Sequence, residues 1–473
     1  MKRTDSMTRL ANGLWTLPLA LSLAITGCGS ATGSDTPSAT ATEAAQKEIA
    51  ADEGEAEAAQ DREAISDDTD NGHAIAVSGE EASYDAVDVT KTGDADGDEA
   101  DFYGTNAAVY AEEGATLDLD DVTVTTDGTH ANAVFSYGEG TTVNVSDSTI
   151  NTSGNCSGGI MVTGGGTLNA TDLTIHTTGN SSAAIRSDRG GGTETVTGGS
   201  YTTDGTGSPV IYSTADVTVS DATLESTASQ GVVVEGQNSV TLNDCELTAD
   251  NNTKNSDKSD WYQAVMIYQS MSGDADEGEA SFTMDGGSLT NKNGDVFFVN
   301  NTACTITLDG AEVTNQDETG VLLRAAAAGW GSEGSNGGHV VFNMVDEALD
   351  GDIVVDDVSE LNLYLSENTS YEGTINADNA GAVYVEIESG STWTLTGDSY
   401  VTSLTCDADA IDLNGHTLYV NGEAYDAGSA SEGETIEFTL SSGSGMGGAP
   451  GEAPGGNGGP GGEGGEPPAK PEG

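Results

Sequence analysis

The chain has 473 residues, with 79 Asp and Glu against 13 Lys and Arg, a formal charge of −66, 5% aromatics and 65 glycines. So acidic a surface repels nucleic acid and anionic lipid headgroups and attracts cations, which excludes electrostatic capture of either polyanion. So few aromatics exclude a set of bulky globular cores and leave a repeat array, which lengthens without enlarging one core.

Taken in order, the chain opens with Lys2, Arg3 and Arg9 ahead of an apolar run from Leu14 to Ile25. The run is too short to span a bilayer comfortably and has the layout of an export signal. It closes on Ile25-Thr26-Gly27-Cys28, which resembles the lipobox of bacterial lipoproteins. That resemblance implies that residues 1–27 are removed. It also implies that Cys28 becomes the lipidated first residue, holding the protein on the extracellular face of the bacterial cell membrane. Residues 28–71 are mostly Ser, Thr, Ala, Glu and Asp and predict a solvated, disordered acidic stalk. Residues 441–473, rich in Gly, Pro and Glu, predict a disordered tail without a membrane span. Membrane contact is therefore expected only through Cys28.

Between these ends lies a repeat. Ala108 opens AVYAEEGATLDLDDVTVTTDGTH, Ala133 opens AVFSYGEGTTVNVSDSTINTSGN and Gly159 opens GIMVTGGGTLNATDLTIHTTGN. Val109, Val134, Ile160 and Ile185 are 25, 26 and 25 residues apart. Short alternating Thr/Val runs at that period, separated by Gly, Asp and Asn, predict a solenoid whose coils must stack to bury their apolar faces. It is expected over about Gly72–Asn421, with a closing cap to residue 440. Coils begin at Ile75 and near Val109, Val134, Ile160, Ile185, Val210, Val232, Val265, Val296, Val321 and Ile353, with a closing pair after Ile375. A dozen coils at an inter-strand spacing of about 4.8 Å give a rod about 55–60 Å long.

Two further columns align. Val124, Ile150, Ile175, Tyr201, Leu224, Leu247, Leu289 and Val313 form one. Leu119, Val145, Ala170, Val196, Val219, Leu242, Met284 and Leu308 form the other. Two residues before the second run Leu117, Val143, Leu168, Val217, Val240, Phe282 and Ile306, which share its strand face and should point with it into the bore. Glu194 interrupts that row without evident reason. Trp393 falls in the same row and is expected to plug the end of the core.

The row beside Val109 reads Tyr110, Phe135, Met161, Arg186, Ile211, Val233, Met266, Phe297 and Leu322. An unpaired Arg186 in a dry bore would cost several kcal/mol, so this row should face outward. It is then either an apolar and aromatic contact stripe or a surface covered by flanking loops. Insertions fall beside the same strand: Asp94–Asn106 and Asp250–Gln263 before it, Ser270–Ala280 and Ala325–Gly338 after it. Long loops on a rigid rod are where binding residues tend to sit, and these carry Phe102, Tyr103, Trp261, Tyr262 and Trp330. Aromatic walls suit the C–H faces of sugars. Tyr110, Phe135, Arg186, Trp261, Tyr262, Met266, Phe297, Arg324 and Trp330 are thus the candidate carbohydrate-binding residues.

For metal, Asp94, Asp96, Asp98 and Asp101, with Glu99, crowd one loop in the manner of hard-oxygen Ca²⁺ sites, although no EF-hand pattern is present. The turn column Asp121, Asp147, Asp172, Asp221 and Asp244, interrupted by Gly198, could hold Ca²⁺. It is better explained by Asp accepting a hydrogen bond from its own backbone. His73, His130, His176, His339 and His416 show no ligand spacing. Cys156, Cys245, Cys304 and Cys406 fall at non-equivalent offsets and should be free thiols.

The repeats resemble the right-handed parallel β-helix, the pectate-lyase-like fold, as found in bacterial surface proteins. The W-T-L-T-G-D-S block from Trp393 is similar to the closing rungs of autotransporter adhesin passengers. The acidic rod with its Gly/Pro tail resembles secreted polysaccharide-binding β-helix proteins of anaerobic Gram-positive bacteria. The fold class expected is all-β. The function expected is that of a monomeric, lipid-anchored adhesin or carbohydrate-binding protein, contacting a glycan or a host or bacterial surface, with Ca²⁺ as a bridge. The pectate-lyase-like resemblance also implies a polysaccharide lyase or glycoside hydrolase as the alternative. In the lyases an Arg or Lys removes a proton acidified by Ca²⁺. Arg186 and Arg324 lie beside the right strand but five to six coils, about 25 Å, apart, and cannot form one centre. A structural spacer is the third reading.

Overall fold

The computed structural model describes residues 62–97, 99–254 and 256–438. The signal segment, Cys28, most of the stalk and the Gly/Pro tail lie outside these residues. The described chain is an all-β parallel β-helix, with one short helix, Glu99–Tyr103, among the described residues. Three parallel sheets of ten, eleven and thirteen strands run along it, and the chain visits them in rotation. One coil is Val109–Glu112, Thr116–Asp120 and Thr123–Thr126; the next is Val134–Tyr137, Thr142–Ser146 and Thr149–Thr152. Alternation makes these segments strands: in Thr116–Asp120, Leu117 and Leu119 are buried while Asp118 and Asp120 are exposed.

The bore is built in columns. Leu117, Val143, Leu168, Glu194, Val217 and Val240 are paired in register along the thirteen-stranded sheet, and Leu119, Val145, Ala170 and Val196 run beside them. Val124, Ile150, Ile175, Tyr201 and Leu224 do the same in the ten-stranded sheet. Thirteen strands at about 4.8 Å give a rod of the expected length.

The turn after the ten-stranded sheet explains why the repeat carries Gly and Ser there. A side chain on Gly154 would place its Cβ 1.9 Å from the carbonyl oxygen of Gly128 in the preceding coil. Three residues on, the hydroxyls form a ladder: Ser157 N donates to Ser182 Oγ (3.0 Å), and Ser182 N to Ser208 Oγ (2.9 Å). The Asp column has its own backbone cause. Asp121, Asp147, Asp172, Asp221 and Asp244 all have φ between 47° and 56°, and Gly198, which interrupts them, has φ 69°. The position demands the left-handed region, which Asp tolerates and Gly adopts freely.

Register departs from expectation in three coils. Ile185 pairs with Ile211, Val265 with Phe297, and Phe297 with Leu323. The inward residues there are Ile211, Phe297 and Leu323 rather than Val210, Val296 and Val321, and the outward row gains Tyr212, Phe298 and Arg324. Runs such as Val296-Phe297-Phe298-Val299 are apolar on both faces, so periodicity alone cannot choose between them, and a one-residue slip reverses every side chain, as at Ile211 and Phe297; at Leu323 the offset from Val321 is two residues and comes from a bulge between them. Phe297 is therefore a core residue, edge-on to Phe282 and Phe342 at 5.7 Å from each.

The ends also differ. Glu63–Asp67 already pairs with Val87–Lys91, so the rod starts before Gly72. Trp393 is fully buried as expected, but in a separate four-stranded sheet between Tyr371 and Ile411, with its Nε1 donating to Gly373 O at 3.0 Å. The chain then folds back: Ser431 pairs with Cys406, and Ile436 N donates to Asn362 Oδ1 at 2.9 Å. Among the described residues Cys156, Cys245, Cys304 and Cys406 are not joined in disulfides.

Candidate functional site

All four insertions border the eleven-stranded sheet, and together they roof its outward row. At one end Tyr110, Phe135 and Met161 are buried with Ala107 against the Asp94–Asn106 insertion. Gly104 makes this approach possible. Its φ is 69°, and a Cβ there would lie 2.7 Å from the Tyr110 ring and 2.8 Å from that of Phe135. At the other end Val233, Met266, Tyr268, Phe298, Ala326 and Trp330 form a second cluster under the later insertions. The apolar stripe is thus covered rather than open. Tyr110, Phe135 and Met266 hold loops in place, and the outer faces of those loops form the accessible surface.

That surface has an aromatic end. Trp330 is 5% exposed, edge-on to Tyr268 at 5.2 Å, with the Lys258 ammonium 5.8 Å from its ring. Gly329 N donates to Lys258 O at 2.7 Å, tying the two tryptophan-bearing insertions together. Trp261 and Tyr262 stay half-exposed. The Arg324 guanidinium lies 4.7 Å from the Trp261 ring centre and is forked onto Asp295 at 2.6 and 3.2 Å. Exposed Lys254 reaches over Tyr262 at 5.3 Å. On the Ser270–Ala280 insertion stands Met271, the exposed large apolar side chain among the described residues at 53%.

Between the two ends lies a polar centre. Arg186 is outside the bore, as expected, and is paired twice: Nη1 with Asp101 Oδ1 and Nη2 with Asp188 Oδ2, both at 3.2 Å. Arg189 bridges two insertions, its guanidinium 3.9 Å over the Phe102 ring and its Nη2 2.7 Å from Asp274 Oδ1. Tyr212 donates to Glu235 Oε2 at 2.5 Å, and the Ser270 hydroxyl donates to Oε1. One guanidinium cannot satisfy every buried acid. Burial opposes ionisation of Asp101, but Arg186 and His130 outweigh it and hold its carboxyl below the usual range. Burial, reinforced by Asp274 and Asp101, overcomes Arg186 at Asp188 and raises that carboxyl to about 7. Burial also raises Glu235, against the hydrogen bonds from Ser270 and Tyr212. Carboxyls of unequal proton affinity in one cluster are able to donate and accept protons near neutrality.

The acidic loop is not gathered on one point. Asp94 Oδ1 accepts from Thr129 N at 2.7 Å, Asp96 faces solvent, and Asp101 turns inward to His130 Nδ1 at 2.9 Å and to Arg186. Asp98 lies outside the described residues. Arg186 and Arg324 are five strands apart in the eleven-stranded sheet and keep separate partners. Sequence reasoning missed Tyr212, Glu235, Tyr268, Ser270 and Asp274. Tyr212 was concealed by the register slip at Ile211, and the others stand singly in the sequence and meet only through stacking. No protein-family model matches the chain, and no curated protein or solved structure matches it either.

Proposed function

We propose that this protein is a lipid-anchored extracellular binding rod that takes glycans along its loop-covered flank. The observation that carries the reading is the half-exposed Trp261 and Tyr262 pair, at the end of an insertion just before the Gln263–Tyr268 strand, with Arg324 against one ring and Lys254 over the other. Sugar rings pack their C–H faces on such planes, and the neighbouring cations suit an acidic sugar. Met271 and the Trp330 loop extend the contact surface. Ca²⁺ bridges the acidic exterior, including Asp94 and Asp96, to a charged glycan. Anchorage is at Cys28.

A glycan array of plant, mucin and bacterial saccharides, run with Ca²⁺ and then with chelator, tests this reading. Retention that falls at least tenfold in Trp261→Ala is expected; absence of retention on every glycan under both conditions defeats it. The acid cluster favours a second reading as a glycoside hydrolase, with Asp188, beside Arg186 Nη2 at 3.2 Å, as proton donor. Release of reducing ends, abolished by Asp188→Asn, would select that reading over simple binding.

A further inference from the structure

Asp101, His130 and Cys156 bring a carboxylate oxygen, an imidazole nitrogen and a sulfur within 4.8 Å of one another. Separate pieces of chain supply them. Asp101 comes from the helix in the first insertion, and the other two come from one turn position in consecutive coils. At that position His130, Cys156 and Ser181 have φ of 54°, 57° and 55°. His130 N donates to Asn155 O and Cys156 N to Asn180 O, at 2.9 and 2.8 Å. Stacking therefore sets the imidazole and the thiol one coil rise apart, about 4.8 Å along the backbone.

We propose that these three side chains bind a divalent transition-metal ion of the zinc class. Mixed S, N and O ligands select such ions, whereas Ca²⁺ and Mg²⁺ take oxygen alone. The outer shell is already built. Asp101 Oδ1 is held by Arg186 Nη1 at 3.2 Å and Asn132 Nδ2 at 3.4 Å, which leaves Oδ2 against His130 Nδ1 at 2.9 Å. Bonds of about 2.0–2.2 Å in a tetrahedral site need that oxygen and nitrogen about 3.3 Å apart, an opening of a few tenths of an ångström. The ion replaces the hydrogen bond between them: the Nδ1 proton passes to solvent, and the neutral ring then carries its one proton on Nε2. Cys156 gives up its thiol proton to solvent as the metal–sulfur bond forms, and Arg186 Nη1 holds the Cys156 carbonyl at 3.3 Å. Thiolate and carboxylate together neutralise a 2+ ion, while Arg186 Nη2 keeps its contact with Asp188 Oδ2 at 3.2 Å. Water supplies the fourth ligand, since His130 and Cys156 are half-buried and reachable. The bound ion staples the Phe102-bearing insertion to the rod.

The test is an anaerobic Co²⁺ titration of the full chain, with Cys28→Ser in every sample so that its thiol does not contribute. One Co²⁺ per chain with a thiolate-to-metal charge-transfer band, displaced by Zn²⁺, is expected. Cys156→Ser should abolish the band, and its backbone is tolerated because Ser181 holds the same position one coil on. His130→Asn should weaken binding by about tenfold or more. Co²⁺ uptake without the band, or a band that survives Cys156→Ser, overturns the site as diffuse carboxylate binding. X-ray absorption at the cobalt edge needs no variant: one sulfur neighbour supports the site, and an all-oxygen shell overturns it.

Discussion

Glu194 is the residue most at odds with its surroundings. It stands in the bore column between Leu168 and Val217, fully buried, and neither carboxyl oxygen has a hydrogen-bond partner. Burial alone raises its proton affinity well above the ordinary glutamate value, so the folded protein holds it neutral. Its folded-state affinity exceeds the unfolded one, so its contribution is intact below about pH 4.5 and is lost as pH climbs toward the folded value. Each pH unit in that window costs about 1.4 kcal/mol. Glu194→Leu should therefore stabilise the protein, and more at pH 8 than at pH 5. Urea midpoints at the two values measure this, and an equal shift at both would mean that the carboxyl is ionised or solvated in the fold. The buried Lys91 at the start of the rod contrasts with it, because Asp67 Oδ1 at 3.2 Å and Thr69 O at 2.6 Å satisfy its ammonium.

Among elements, the insertions matter most, because they turn an apolar stripe into a second layer of packing. The clusters at Phe135 and Phe298 lie outside the bore and are held by side chains from loops. Such satellite layers open locally, at lower free energy than the coils beneath them. Trp330→Ala should loosen the Ala325–Gly338 insertion without unstacking the rod. In hydrogen exchange, the amide of Gly329, which donates to Lys258 O, should lose protection, while the bore strand through Phe342 keeps its own. Loss of protection in both would mean that the flank and the bore unfold as one unit. The same layering shows why Tyr110, Phe135 and Met266 are positioning residues for the loops, while Trp261 and Tyr262 stay half-exposed.

The molecule as a whole stacks like charge on like. Asp121, Asp147 and Asp172 hold one turn position in consecutive coils, about 4.8 Å apart along the backbone. Some columns avoid this repulsion with neutral partners: Asn144 Nδ2 donates to Asp118 Oδ1 at 2.7 Å, and Asn169 Nδ2 to Asn144 Oδ1 at 2.8 Å. With a net charge of −66 the remainder repels. Raising NaCl from about 0.01 to about 1 M shortens the screening length from about 30 to about 3 Å. The denaturation midpoint should rise across that range. A midpoint that falls instead would show that attractive ion pairs such as Arg324–Asp295 dominate.

The repeat period, the three strand columns and the outward facing of Arg186 follow from the sequence alone, because each depends on local alternation and on the cost of burying charge. Two features depended on tertiary structure. Register at Ile211, Phe297 and Leu323 was undetermined where both strand faces are apolar, and it was settled by which side chain fills the bore. The fate of the stripe depended on whether the loops fold over it, which rests on contacts such as Gly104 against Phe135 between distant segments. Asp101, His130 and Cys156 meet for the same reason: a coil of about 25 residues separates neighbours in sequence and joins neighbours in space, so a ligand set built along the rod leaves no short motif to read.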